Sequence, residues 1–142
     1  MSVFVVDASV VIKWFVPEVR GDAARRWLAS PHEYIAPDLL FPEAGNAIWK
    51  KVRRGELTAD EGQRLAVDLS GVAVESISMR NLMQDAHALA LSTGLTVYDA
   101  MYVTLAVRLK TQVITADERL TRALAARPMM AGHVRSVEDF TE

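Results

Sequence analysis

The segment FVVDASVVIK, residues 4–13, places a single carboxylate, Asp7, between two apolar runs. The valines before Asp7 are β-branched and predict a buried strand, whereas the apolar spacing after it predicts a helix. A charged side chain inside such a segment costs free energy unless a hydrogen bond, a cation or a substrate compensates it. Asp7 is therefore the first candidate functional residue.

The composition is that of an ordinary globular chain and leaves the class of partner open. The 142 residues are 51% hydrophobic and 24% charged, with a net charge of -2, and they fit one domain spanning residues 1–142. Cysteine is absent, which excludes disulfides, thiolate metal sites and a cysteine nucleophile. The apolar start is too short to span a bilayer and lacks the cationic region of a signal peptide. We expect a cytoplasmic protein with no membrane segment.

Short β-branched runs alternate with helical patterns along the chain. Strands are predicted at 3–6, 72–77, 94–97 and 112–115, with short edge strands at 33–36 and 133–137. Helices are predicted at 8–16, 39–54, 59–70, 79–93, 99–110 and 117–126. This alternation predicts a three-layer α/β fold, in which helices cover both faces of a central, mostly parallel twisted sheet of four to five strands.

Three aspartates follow predicted strands and precede predicted helices, namely Asp7, Asp99 and Asp117. The carboxyl ends of parallel strands line one crevice, so these side chains are expected to converge there. Glu43, which follows Pro42 near the start of the helix at 39–54, is a fourth candidate. A structural interpretation stands beside this one, because aspartate is a preferred helix N-cap and all three aspartates occupy cap positions.

Four acids in one crevice would repel one another, and their pKa values would rise unless a cation neutralised them. The chain has no cysteine, and its three histidines share no metal-ligand spacing, so a metal there would be bound by oxygen, as Mg²⁺ or Mn²⁺ is. Such an ion lowers the pKa of a bound water and stabilises the charge that develops on a phosphodiester. Phosphodiester hydrolysis is the predicted reaction class.

The order of these acids and their neighbours resembles the PIN-domain ribonucleases, and among them the VapC toxins of toxin–antitoxin pairs. The matching motifs are Asp7-Ala8-Ser9, Pro42-Glu43-Ala44-Gly45-Asn46-Ala47, Tyr98-Asp99-Ala100 and Thr115-Ala116-Asp117. Each motif alone is weak, but the ordered set is specific and covers nearly the whole chain.

The resemblance implies a PIN-like fold, an Mg²⁺- or Mn²⁺-dependent endoribonuclease, a homodimer, and a small VapB-type antitoxin that covers the acidic groove. It implies, position by position, that the catalytic, metal-binding acids are Asp7, Glu43, Asp99 and Asp117. It also implies supporting roles beside the site for Ser9, Asn46 and Thr115. Because Glu118 directly follows Asp117, the sequence leaves open which of the two ligates, although Asp117 keeps the T-x-D spacing.

A cationic cluster ends the predicted helix that carries Glu43; its members are Lys50, Lys51, Arg53 and Arg54. Cations at a helix C-terminus complement the helix dipole, and a solvated helix end is the default interpretation. The functional interpretation is a set of RNA-phosphate contacts that offsets the negative crevice.

Two other functions are compatible with the same residues. One is a catalytically silent α/β binding module in which the aspartates are only helix caps. The other is a metal-dependent phosphatase or DNA nuclease on the same acidic site. A phosphatase of the haloacid-dehalogenase type would need Asp-x-Asp after the first strand, and Ser9 occupies that second position. Metal binding distinguishes the silent module from the metal-dependent ribonuclease. The choice of substrate distinguishes the phosphatase or DNA nuclease from it.

Overall fold

The computed structural model describes residues 2–142. Its strands are β1 (Val3–Val6), β2 (Glu33–Pro37), β3 (Glu75–Ile77), β4 (Val113–Thr115) and β5 (Val134–Ser136). They form one sheet in the order β3-β2-β1-β4-β5, and every neighbouring pair is parallel. All five carboxyl ends therefore lie along the same edge, and the predicted α/β class with a parallel central sheet is confirmed.

The helices within residues 2–142 are α1 (Ala8–Phe15), α2 (Gly21–Leu28), α3 (Leu40–Arg53), α4 (Ala59–Ser70), α5 (Met79–Thr93), α6 (Val97–Arg108) and α7 (Glu118–Ala125). A short 3-10 helix spans Ala131–His133. The predicted helices agree with these bounds to within two residues, and those at 59–70 and 79–93 coincide with α4 and α5. The sequence did not predict α2, whose eight residues bury only Gly21, Ala24 and Trp27.

The strand predicted at 94–97 is wrong. Gly94 adopts a positive φ of 78° that ends α5, and α6 begins at Val97. The apolar run is therefore a tight connection between two helices, and Thr96 is the N-cap of the second, accepting a hydrogen bond from Asp99 N at 3.1 Å. Of the strand predicted at 72–77, only Glu75–Ile77 pairs with a neighbour.

The strand predicted at 33–36 is present as β2, but it is not an edge strand. It lies between β1 and β3, and four of its five residues, Tyr34 to Pro37, are buried. The strand predicted at 133–137 is β5 and does lie at an edge, beside β4.

Helix α6 is the central helix of the core. Seven consecutive residues, from Ala100 to Ala106, are buried, because the helix packs against β1, β2 and α5 at once. A helix enclosed on all sides needs no polar face, which is why its pattern is almost continuously apolar. This packing carries the first turn of α6, with Asp99, toward the acids at the carboxyl edge of the sheet.

The two ends of the described chain meet at His32, which is buried. Its Nδ1 accepts a hydrogen bond from Ser2 N at 3.1 Å, and its Nε2 donates to the carbonyl of Thr141 at 2.7 Å. Nearby, the Trp27 indole donates to the Val137 carbonyl at 2.8 Å and packs edge-on against Phe140. His32 is thus a structural residue.

No single helix within residues 2–142 is long and apolar enough to cross a membrane. Helices α5 and α6 reach that length and hydropathy only as a pair, and they are bent by 111° at their junction.

Candidate active site

Asp7 lies where β1 ends and α1 begins. Its Oδ1 accepts hydrogen bonds from Ser9 N at 3.0 Å and from the Ser9 hydroxyl, so the carboxylate caps α1. The residue is only 7% exposed. Both hydrogen bonds that Asp7 accepts from Ser9 use Oδ1.

The end of β4 is tied to the end of β1 through two hydroxyl groups. Ser9 Oγ accepts from Ala116 N at 3.0 Å and lies 3.5 Å from Thr115 Oγ1. Thr115 Oγ1 in turn accepts from Asp117 N at 3.0 Å. The supporting positions predicted for Ser9 and Thr115 therefore lie between Asp7 and Asp117.

Asp117 caps α7 as the sequence predicts. Its Oδ1 accepts from the backbone amides of Arg119 at 3.0 Å and Leu120 at 3.3 Å. Asp99 differs from the other two aspartates, because it lies in the first turn of α6 and Thr96 is the cap. Both the strand end and the cap position predicted for Asp99 are therefore wrong, yet the residue still reaches the site, because α6 packs across the sheet.

Glu43 enters the site from the first turn of α3, whose buried residues Leu40, Ala44 and Ile48 fix that helix on the core. Its Oε1 accepts a hydrogen bond from the Tyr102 hydroxyl at 2.6 Å. Tyr102 is on α6, three residues after Asp99, and is 2% exposed. This contact links the helix that carries Glu43 to the helix that carries Asp99.

The electrostatics of the site show that three of the acids lie close to one another. Burial raises the pKa of Asp7 to about 6; Asp99 and Glu43 raise it as well, against hydrogen bonds from Ser9 and Thr115 that lower it. Burial also raises the pKa of Glu43, with Asp99 adding to the shift and the Tyr102 hydrogen bond opposing it. Burial and then Glu43 raise the pKa of the Tyr102 hydroxyl.

Arg119 joins the fourth acid to this group. Its Nη2 donates to Asp99 Oδ2 at 2.9 Å and to Asp117 Oδ2 at 3.2 Å. Glu118 is engaged elsewhere, because it accepts from Arg20, whose Nη1 also donates to the Ala116 carbonyl at 2.6 Å. Of the two neighbouring acids, it is Asp117 that shares a partner with Asp99.

The remaining predicted residues lie on α3 or at its C-cap, and within residues 2–142 their side chains make no hydrogen bond or ion pair with the four acids. The Asn46 side chain is exposed and makes no hydrogen bond within residues 2–142. Lys51 is 14% exposed and paired with Glu18 at 2.8 Å, and Arg54 lies 3.9 Å from Glu56. Arg53 lies over the ring of Trp49, which is 53% exposed and so does not belong to the core. Lys50 is exposed and has no ion-pair partner within the described chain.

The donors at this site suit a hard divalent cation. They are carboxylate and hydroxyl oxygens, and Asp7 is a buried acid whose charge lacks a cation of its own. Within residues 2–142, however, no three His, Cys, Asp or Glu side chains form a ready-made ligand group. Mg²⁺ usually keeps several waters and needs only one or two carboxylates, so the residues present fit such an ion.

Sequence reasoning missed Tyr102 and Arg119. Tyr102 lies in an almost continuously apolar segment, although its position three residues after Asp99 places the two on the same face of a helix. Arg119 directly follows the pair Asp117-Glu118, and its proximity to Asp99 depends on how α6 and α7 pack. Of these two residues, only Tyr102 could have been predicted from the sequence, through its spacing of three residues from Asp99.

The PIN domain family profile matches residues 4–125. Ribonuclease VapC3 of Pyrobaculum aerophilum is 38% identical over 124 residues, which cover 86% of this chain and 95% of that protein. A crystal structure from the same organism superposes with a TM-score of 0.68 at 23% identity, covering 95% of this chain and 83% of that one. A toxin–antitoxin complex from Klebsiella pneumoniae superposes with a TM-score of 0.67 at 19% identity, covering 96% of this chain and 99% of that one. The two structures support the fold, and the profile and the sequence relative show that the chain belongs to the PIN-domain family, in its VapC group.

Proposed function

We propose that this protein is an Mg²⁺- or Mn²⁺-dependent endoribonuclease toxin that hydrolyses RNA phosphodiester bonds, leaving a 5′-phosphate and a 3′-hydroxyl. The observation that carries the proposal is the convergence of Asp7, Glu43, Asp99 and Asp117 from four separate parts of the chain. A relative with 38% identity is named a ribonuclease, which favours RNA as the substrate.

In this proposal Asp7, Glu43, Asp99 and Asp117 would hold the metal. When bound, the ion would activate a water and stabilise the negative charge that develops on the phosphodiester. Ser9 holds Oδ1 of Asp7 through its amide and hydroxyl, and so fixes the direction of the carboxylate. Thr115 and Ser9 together keep the ends of β1 and β4 in register.

The exposed cations at the end of α3 are proposed to contact RNA phosphates. Lys50 and Arg54 lie about 10 and 16 Å along the helix from Glu43, at 1.5 Å per residue, a span of a few nucleotides. We propose Lys50, Arg53 and Arg54 for this role. Lys51 is a weaker candidate, because its ammonium is already paired with Glu18.

The test uses purified protein freed of any antitoxin, with RNA, in Mn²⁺, in Mg²⁺ and in EDTA. We expect cleavage only with metal, and its loss in Asp7→Asn and Asp99→Asn. Asp85→Asn is the matched control, because Asp85 is an exposed acid paired with Arg108 on the α5–α6 surface. Metal-independent cleavage, or cleavage that survives both substitutions, would contradict the proposal.

Two further measurements test the alternative functions, namely Mn²⁺ binding and cleavage of other substrates. A silent module with capping aspartates is favoured by Asp7 and Asp117, which do cap helices, but neither Asp99 nor Glu43 is a cap. Calorimetry that detects no Mn²⁺ binding would favour it. Cleavage of DNA, or of a phosphate monoester, in place of RNA would favour the nuclease or phosphatase alternative.

We further propose that a small VapB-type antitoxin covers the acidic groove and that the active protein is a cytoplasmic homodimer. The similarity to a Klebsiella pneumoniae toxin–antitoxin complex supports the first part. Co-purification with the product of a short open reading frame adjacent to the gene, and loss of RNA cleavage in that complex, would test it. Light scattering tests the proposed homodimer, since a dimer has twice the 15.7 kDa chain mass.

A further inference from the structure

We propose that Tyr102 is a positioning residue that holds the Glu43 carboxylate in the acid group and thereby sets the affinity of the site for its metal. This inference rests on the metal-dependent function proposed above. It concerns a side chain that neither the sequence motifs nor the family resemblance singled out.

The contact joins a rigid donor to a flexible acceptor. Tyr102 is 2% exposed, and the helix around it is buried from Ala100 to Ala106, so packing restricts the positions of its ring. Glu43 is only half-buried and has three rotatable side-chain bonds, so without a partner its carboxylate would sample several directions. The 2.6 Å hydrogen bond from the Tyr102 hydroxyl selects one of them.

The chemistry of the pair suits this role. A phenol is protonated at neutral pH, so Tyr102 donates and leaves the charge of Glu43 intact. A hydrogen bond to an ionised acceptor is roughly twice as strong as one between neutral groups. The bond uses Oε1 and leaves Oε2 of Glu43 available to a cation. Residues that orient a metal ligand in this way commonly change metal affinity or activity by roughly 10–100-fold when mutated.

The chain offers a matched control for this hydroxyl. Tyr34 is also buried, at 7% exposure, and its hydroxyl donates to the Trp27 carbonyl and lies 3.1 Å from Ser30 Oγ. It is part of β2, and none of the four acids contacts its hydroxyl. Tyr102→Phe and Tyr34→Phe therefore remove the same atom from two buried sites, of which only one touches an acid.

The experiment measures Mn²⁺ affinity by calorimetry on the antitoxin-free protein without RNA. We expect Tyr102→Phe to weaken binding roughly tenfold or more, and Tyr34→Phe to leave it unchanged. Thermal unfolding in EDTA reports the structural cost of each variant separately. An equal effect of both variants, or no effect of Tyr102→Phe, would overturn the inference while leaving the metal site intact. Absence of Mn²⁺ binding in the wild type would overturn the proposed function, and this role with it.

A double-mutant cycle tests whether Tyr102 acts through Glu43. In a Glu43→Gln background, Tyr102→Phe should change Mn²⁺ affinity little further, because the carboxylate to be positioned is already gone. Additive losses would contradict the role.

A measurement on the wild type avoids any folding defect of the variants. Mg²⁺ should shift the NMR signal of the Tyr102 ring carbon that bears the hydroxyl and leave the corresponding Tyr34 signal in place. An unmoved Tyr102 signal at saturating Mg²⁺ would also contradict it.

Discussion

Arg119 donates through one nitrogen, Nη2, to both Asp99 and Asp117, at 2.9 and 3.2 Å. The guanidinium thus neutralises part of the charge of two acids that are proposed to hold a metal. Its side chain is 60% exposed, so it is free to leave. An exposed ion pair of this kind contributes little to stability, and a divalent cation should displace it.

We therefore expect Arg119→Ala to tighten Mn²⁺ binding by about two- to fivefold, the range that exposed ion pairs of up to about 1 kcal/mol would produce. Arg122→Ala is the matched control, because Arg122 lies on the same helix and is 3.9 Å from Glu118, outside the group of four acids. Calorimetry measures both. Weaker binding in Arg119→Ala would mean that the arginine supports the metal site.

The stability of the metal-free protein should depend on pH through Asp7. Its pKa is raised from 3.8 to about 6, so the native state holds a proton that the unfolded state releases. The contribution of Asp7 to stability is therefore complete below pH 3.8, decreases as the pH rises through the folded value of about 6, and stays low above it. At neutral pH the ionised group costs up to about 3 kcal/mol.

Asp7→Asn tests this, because asparagine keeps the helix cap without the charge. In EDTA the variant should be more stable than the wild type at pH 7, and the difference should vanish near pH 4, as measured by urea unfolding. The same variant should lose RNA cleavage. Asp85→Asn, an exposed substitution on α5, is the control for a general effect of charge. A stability difference that is constant from pH 4 to 7 would contradict the assignment.

RNA binding should depend on Lys50 and Arg54 but not on Lys51. Binding measured in EDTA should weaken in Lys50→Ala and Arg54→Ala, and the slope of log affinity against log salt should fall by about 0.7 for each phosphate that the variant no longer neutralises. Lys51→Ala should lower stability instead, because it breaks the pair with Glu18. Arg108→Ala, whose cation pairs with Asp85, is the surface control. Equal losses from all four would indicate a merely general charge effect.

Two glycines inside helices should respond in opposite ways to alanine. A Cβ on Gly45 would meet nothing within 4 Å, so Gly45→Ala should stabilise the protein by roughly 0.5–1 kcal/mol through helix propensity. A Cβ on Gly62 would lie 2.7 Å from Val52 Cγ2, where α4 packs on α3, so Gly62→Ala should destabilise it. Urea unfolding measures both. Val52→Ala should relieve the Gly62→Ala defect, and its failure to do so would contradict the packing argument.

The sequence predicted the parts of the fold that depend on local pattern. The valines of β1 and the apolar stripes of α4 and α5 are local signals, and their elements were predicted. The run Gly94 to Val97 misled because β-branched residues favour strands, while a cap at Thr96 and a left-handed Gly94 decided the structure. The central position of β2 depends on pairing with distant strands, which no local pattern contains.

The same distinction applies to the candidate site. Asp7 and Asp117 follow strands, so their convergence follows from topology alone. Asp99 reaches the site through the packing of a whole helix, because the segment before it is not the strand that the sequence predicts. The neighbours that complete the site, Tyr102 and Arg119, act across helices, and their roles depend on side-chain directions that only the folded structure defines.

The contacts of His32 with Ser2 and Thr141 have a kinetic consequence. Its two hydrogen bonds span 30 and 109 residues of sequence, and closing so long a loop is an entropic cost that local helices do not bear. Contacts of this range tend to form late in folding. Removing the imidazole should therefore speed unfolding more than it slows refolding. The two hydrogen bonds of His32 thus determine the lifetime of the native state rather than the rate of folding.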